Sequence, residues 1–141
     1  MDSDSGGSEG FWRLTVADHF SSAHQLRHYQ GKCEQMHGHN FQVELCVEGR
    51  RLHQETGIVI DFKKLKTLLK DVLSELDHCN LNEAPAFCHA NPSSENLARF
   101  VFQRVKAQLA DPDSGSGGSV RVYSVSVAEG PAQVATYFEE K

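Results

Sequence analysis

The stretch Cys33-Glu34-Gln35-Met36-His37-Gly38-His39-Asn40-Phe41-Gln42-Val43-Glu44-Leu45-Cys46-Val47-Glu48 carries both the clearest fold signal and the clearest chemical signal of the chain. From His39 to Glu48, Phe41, Val43, Leu45 and Val47 alternate with Gln42, Glu44, Cys46 and Glu48. A period of two marks a strand with one buried and one polar face, the habit of antiparallel sheets. At its head, His37 and His39 flank one glycine, so an extended backbone puts both imidazoles on one side. A divalent metal about 2.0–2.1 Å from each ring nitrogen needs that convergence. Gly38 leaves the backbone between the rings free to bend toward an ion. Parity alone assigns His39 to the apolar face; a bulge at the strand start would re-aim it, though the sequence shows none.

Upstream, Trp12, Leu14 and Val16 alternate with Arg13, Thr15 and Ala17, a first half-buried strand. The period is lost between Ser21 and Met36, which places His24 and Cys33 on or beside a long functional loop. Downstream, Gly57-Ile58-Val59-Ile60 leads to Asp61, a good N-cap. Phe62, Leu65, Leu68, Leu69, Val72, Leu73 and Leu76 then recur at three and four with lysines opposite, as in an amphipathic helix. A second helix follows Asn91-Pro92-Ser93-Ser94-Glu95-Asn96, with Leu97, Ala98, Val101, Phe102, Val105 and Leu109 as its buried stripe. Asp111-Pro112 stops it, and Ser114 to Ser119 reads as a flexible Gly/Ser loop. Two strands close the chain, Val120 to Glu129 and Ala132 to Phe138, around a turn at Gly130-Pro131.

The order β-β-α-α-β-β predicts an α+β fold, a four-stranded antiparallel sheet with both helices on one face. Gln42, Glu44, Cys46, Ser124 and Ser126 make the other face too polar for a core. Such a sheet has two edges to cover or pair, and a ring of copies joined edge to edge would remove them. Oligomerisation is therefore expected.

The chain has 141 residues and a net charge of −5, which fits one domain and argues against a nucleic-acid backbone as partner. Its four cysteines follow no disulfide framework and suit a reducing compartment. Residues 1–10 are rich in Asp, Ser and Gly, with no basic start and no apolar run. They read as a disordered leader rather than a secretory signal, with residues 11–141 as the domain. No apolar run reaches membrane-spanning length, and a cytoplasmic protein without nucleic-acid or membrane partners is the expectation.

A third imidazole lies upstream in Phe20-Ser21-Ser22-Ala23-His24. The expectation is a zinc site on His24, His37 and His39 with one position open, the catalytic arrangement. A His-Gly-His triplet alone is weak evidence, because most surface histidines bind nothing. A competing structural version closes the site with Cys33 as fourth ligand. Asp77-His78 alone is explained by a histidine at a helix C-terminus beside a turn aspartate. With Cys33 and the histidines nearby, the carboxylate instead orients an imidazole for proton transfer, and Cys33 supplies a thiolate base. Cys79, Cys88 and His89 are too irregularly spaced for a second metal site and read as loop residues. Glu129 ends a strand; if buried, it is suited to grip two N–H groups of a heterocycle.

Six ordered blocks carry a resemblance: Ser22-Ala23-His24; Cys33 through Asn40; Gly57 through Phe62; Leu76-Asp77-His78 with Leu81-Asn82; Asn91 through Asn96; and Glu129. From Phe11 to Phe138 the chain resembles the 6-pyruvoyl-tetrahydropterin synthase family, most closely its 6-carboxy-tetrahydropterin synthase branch. The short Cys33–His37 gap points to that branch by analogy. The resemblance implies a T-fold whose trimers close a twelve-stranded barrel and stack into hexamers. It implies conversion of 7,8-dihydroneopterin triphosphate to 6-carboxy-5,6,7,8-tetrahydropterin, with release of acetaldehyde and triphosphate, for queuosine biosynthesis. It further implies one zinc per chain on His24, His37 and His39, proton transfer by Cys33 with Asp77 and His78, and a pterin anchored by Glu129 with backbone near Ser93 and Ser94. Gly130 departs from the Thr or Ser usual after the family's glutamate. Two alternatives stay open: a pyruvoyl-type synthase that eliminates triphosphate without losing carbons, and a non-catalytic zinc-stabilised oligomer that binds pterin.

Overall fold

The computed structural model describes residues 10–32, 34–111 and 119–140. Cys33, nearly all of the expected leader and most of the Gly/Ser loop lie outside the described residues. The elements are β1 (Trp12–His24), β2 (His37–Gly49), α1 (Phe62–Leu73), α2 (Ser94–Leu109), β3 (Val120–Gly130) and β4 (Gln133–Phe138), with short 3₁₀ turns at Leu81–Glu83 and Pro85–Phe87. The strands form one antiparallel sheet in the order β1-β2-β3-β4. This is the fold class that the sequence predicts.

Burial follows the period of two. Val16, Phe20, Ser22 and His24 of β1 and Phe41, Val43, Leu45 and Val47 of β2 are buried on one face. The helices bring Leu65, Leu69 and Val72 of α1, and Leu97, Val101 and Val105 of α2, into the same core. Each helix starts where its cap predicts: Asp61 accepts from the Lys63 amide at 2.8 Å, and Ser93 from the Asn96 amide at 3.2 Å. Phe62, expected in the buried stripe, is 54% exposed because it precedes the first packed turn. No described helix is long and apolar enough to cross a membrane.

Two expectations about the site's setting are corrected. The first strand does not end where its period is lost at Ser21 but runs on to His24, which stands beside the loop. The serine-rich end of that strand is held from both sides. Toward β2 the register runs unbroken from Trp12↔Gly49 to His24↔His37. On the outer edge the Ala23 amide donates to the Cys79 carbonyl at 3.0 Å, and the His78 amide to the Ser21 carbonyl at 2.6 Å. The second correction concerns His39, which no bulge re-aims. The register shift in β2 lies between Cys46 and Val47, against β3, far from the histidines. His37 and His39 stay on the helix-facing side, in line with Phe41, where the apolar row runs out at the end of the core.

The helix-free face is polar as expected, with one buried charge. Glu48 is 8% exposed and meets Arg13 Nε at 2.9 Å and Arg121 Nη2 at 2.7 Å. The Arg13 guanidinium also lies 3.6 Å from the centre of the Tyr123 ring. Burial pushes the Glu48 carboxyl up, but the Arg13 hydrogen bond and the Arg121 charge outweigh it and hold it below its ordinary value. A depressed carboxyl contributes stability in full above its unfolded pKa of about 4.3. That contribution is lost as pH falls through the folded value. The urea midpoint of Glu48→Gln is therefore expected below wild type at pH 7, with the gap shrinking toward pH 3. A gap independent of pH would remove the carboxylate charge from the account.

Candidate active site

Because His24 and His37 are direct cross-strand partners, their side chains share one face at the sheet's end, and His39 follows two residues on. The ring centroids are 4.8 Å apart for His24–His37, 5.2 Å for His24–His39 and 4.5 Å for His37–His39. One ring nitrogen from each lies within 4.8 Å of the other two.

The hydrogen bonds behind the rings decide what those nitrogens offer. His24 Nδ1 lies 2.8 Å from the Pro92 carbonyl oxygen, which can only accept, so Nδ1 carries the proton and Nε2 the lone pair. His37 Nδ1 is placed likewise, 2.8 Å from the Gln35 carbonyl. His24 is 1% exposed, and its Nε2 has no hydrogen-bond partner. A buried acceptor left unpaired costs about 1–3 kcal/mol. Burial also lowers the His24 pKa, against the opposing pull of the Pro92 carbonyl, so the ring stays neutral, the ligating form. An orphaned lone pair beside two more imidazoles, with outer carbonyls fixing the tautomers, fits a metal ion.

Glu129, near the end of β3, flanks this group. Its Oε2 lies 3.8 Å from His24 Nε2 and its Oε1 3.6 Å from His39 Nε2. Ser94 Oγ donates to Glu129 Oε2 at 3.3 Å from the first residue of α2. Ser93, Ser94 and Glu129 line one open hollow with Leu26, Glu95 and Ala132. The three histidines, Glu129 and both serines thus occupy one neighbourhood.

Asp77 and His78 stand at its margin. They lie beyond the last residue of α1, against the outer edge of β1. Asp77 Oδ1 accepts from the Ser21 amide at 2.9 Å, and its Oδ2 is 3.5 Å from His78 Nε2. His78 has a left-handed backbone, φ 53°, unusual without glycine. Its side chain is 82% exposed and borders a groove at the strand ends lined by Ser21, Ala23, Gly38 and Asn40 and also by Ser22 and His39.

Residues 13–140 match the family model for 6-pyruvoyl tetrahydropterin synthase. The chain belongs to that family. It is 34% identical over 134 residues to a 6-carboxy-5,6,7,8-tetrahydropterin synthase of Synechocystis, spanning 92% of this chain and 95% of the relative. It is also 34% identical over 118 residues to a dihydroneopterin monophosphate aldolase of Pyrococcus furiosus, spanning 84% and 90%. The solved 6-pyruvoyl tetrahydropterin synthase of Caenorhabditis elegans aligns with a TM-score of 0.75 at 25% identity, covering 93% of this chain and 97% of that one. The T-fold of the tetrahydropterin synthase family is therefore the fold of this chain.

Several residues that position the site escape sequence reasoning. Arg27 donates to the carbonyls of Ala90, Asn82 and Phe87 at 3.2, 3.1 and 2.8 Å. Asn91 brackets the Arg27 backbone, accepting from its amide at 2.7 Å and donating to its carbonyl at 2.9 Å. Together they fix the segment that ends in Pro92, whose carbonyl sets the His24 tautomer. Glu34 closes the neck of the loop after β1: its amide donates to the Leu26 carbonyl at 2.8 Å, and its Oε1 accepts from the Leu26 amide at 3.2 Å. Asn82 and Asn91 stand in the blocks that carry the resemblance; asparagine there was the available signal for side chains that bracket backbone. Among the described residues, the converging group of possible metal ligands is His24, His37 and His39.

Proposed function

We propose that this chain is a zinc-dependent 6-carboxy-5,6,7,8-tetrahydropterin synthase, a cytoplasmic lyase of queuosine biosynthesis. It takes 7,8-dihydroneopterin triphosphate and water to 6-carboxytetrahydropterin, acetaldehyde and triphosphate. The observation that carries the reading is the buried, unpartnered Nε2 of His24, converging with His37 and His39 beside the Glu129 carboxylate. The similarity along nearly all of the Synechocystis synthase supports the choice of branch.

His24, His37 and His39 would hold the zinc, which would supply Lewis acidity toward the side-chain hydroxyl oxygens of the substrate. Glu129 accepts the pterin N–H groups and fixes the ring. Ser93 and Ser94 border the ring through the start of α2, and the Ser94 hydroxyl steadies the carboxylate. Cys33 removes and returns protons as thiolate. His78 shares that proton traffic, with Asp77 holding its ring in place. The exposed position of His78 at the β1 edge fits a site completed by a neighbouring subunit in a homotrimer or homohexamer.

A second reading has its own support, since the Pyrococcus aldolase reaches the same 34% identity over a somewhat shorter stretch than the Synechocystis synthase. In that case the chain performs aldol cleavage of dihydroneopterin monophosphate. The zinc-loaded protein should be incubated separately with dihydroneopterin triphosphate and monophosphate, and the products identified by mass. The expected result is acetaldehyde and the carboxy product from the triphosphate. A pyruvoyl product without carbon loss, or cleavage of the monophosphate alone, would replace the reading. Tight pterin binding without turnover would leave only the non-catalytic oligomer.

A further inference from the structure

Glu129 faces the histidines in a way that anchoring a heterocycle does not explain. Its Oε2 is 3.8 Å from His24 Nε2 and its Oε1 3.6 Å from His39 Nε2, both beyond N–H···O hydrogen-bond length. On the His24 side no such bond can form, because the ring's proton sits on Nδ1 and points at Pro92. The imidazole lone pair and the carboxylate lone pairs therefore confront each other across a gap, at the end of a buried side chain. Two acceptors so placed repel unless a cation lies between them. Ligands held about 2.0–2.2 Å from one tetrahedral ion stand roughly 3.4 Å apart, close to both distances.

We propose that Glu129 is the oxygen ligand that closes the three-histidine site when no heterocycle is present. It leaves the metal when a pterin's N–H groups offer it hydrogen bonds instead. This rests on the metal reading above and adds to it a second state of the same carboxylate. Glu129 is built for both states. Its side chain is 28% exposed toward the hollow at the start of α2, so a ring entering there meets it directly. The Ser94 hydroxyl holds Oε2 at 3.3 Å, and Ser94 opens α2, whose N-terminus favours a negative group. The metal's reactive position is then exposed only after the substrate ring is seated, which shields the ion from other ligands in between.

The test uses the full chain loaded with Co(II), whose visible spectrum reports coordination, together with zinc affinity by chelator competition. Glu129→Ala and the better-packing Glu129→Gln should both shift the Co(II) bands. Both should weaken zinc binding about tenfold or more, since even partners one shell further out are worth 10–100-fold. Unsubstituted pterin, which has no side-chain hydroxyls to ligate, should move the wild-type bands toward those of the variants. Bands and zinc affinity unchanged in both variants would overturn the proposal while leaving the three-histidine site intact. Pterin binding seen by fluorescence without any band shift would overturn the exchange. A wild-type protein that takes up no Co(II) would remove the metal reading together with this one.

Discussion

His24→Ala, His37→Ala and His39→Ala proteins are each expected to lose bound zinc, whereas Cys33→Ala should keep about one zinc per chain and its fold. Outer-shell partners alone are commonly worth 10–100-fold in metal affinity, so removing a direct imidazole ligand should cost more than about a hundredfold. His24 is the most informative of the three. Its ring is buried, its tautomer is set by Pro92, and its orphaned Nε2 stands at the centre of the argument. His53 is the matched control, an exposed loop histidine whose Nδ1 accepts from the Glu55 amide at 3.3 Å, and His53→Ala should leave zinc content alone. Metal analysis after gel filtration in the presence of a weak chelator reads all five proteins. Zinc lost from Cys33→Ala would favour the site closed by the cysteine. Zinc retained by His24→Ala would dismiss the three-histidine site.

The parts of the fold that burial dictates were legible. Phe41 to Val47 alternates because one face of β2 lies in the core that the sheet shares with the helices, and the leucine stripe of α1 recurs because that helix packs on the sheet. The end of β1 was not legible for a physical reason. Ser21, Ser22 and Ala23 show little apolar contrast, and what makes them strand is backbone bonding to β2 on one side and to Cys79 on the other. Ser22 is buried there as a polar residue, its hydroxyl bonded to the Leu76 carbonyl.

The site shows the same division. Three imidazoles were readable, since spacing along strands fixes their side. Parity had assigned His39 to the apolar face correctly, and the bulge was invoked only because that face was equated with the core. In the structure the face outlasts the core, and the last positions of the row are histidines. The supporting shell was hidden for the opposite reason. The Pro92 carbonyl behind His24 and the three carbonyls around Arg27 are groups that nearly every residue possesses. Only the folded chain says which of them is used.

Cys33→Ala and His78→Ala should each be nearly inactive alone, yet regain activity when co-expressed in mixed oligomers. The outer edge of β1 has backbone partners, among the described residues, only at its Ser21–Ala23 end, and β4 forms the other edge of the sheet. Unpaired edges favour joining copies edge to edge. His78 stands on the outside of β1 with its side chain 82% exposed. The proton transfer proposed for Cys33 and His78 then draws its two groups most directly from across a subunit boundary. In a ring assembled at random from equal amounts of the two variants, roughly a quarter of the boundaries pair an intact cysteine with an intact histidine. Purification through two different tags removes the unmixed rings, so turnover should approach about a third of wild type in trimers and about a quarter in hexamers, with zinc content unchanged. Mixed oligomers as inactive as either parent would place Cys33 and His78 of one and the same chain at each site.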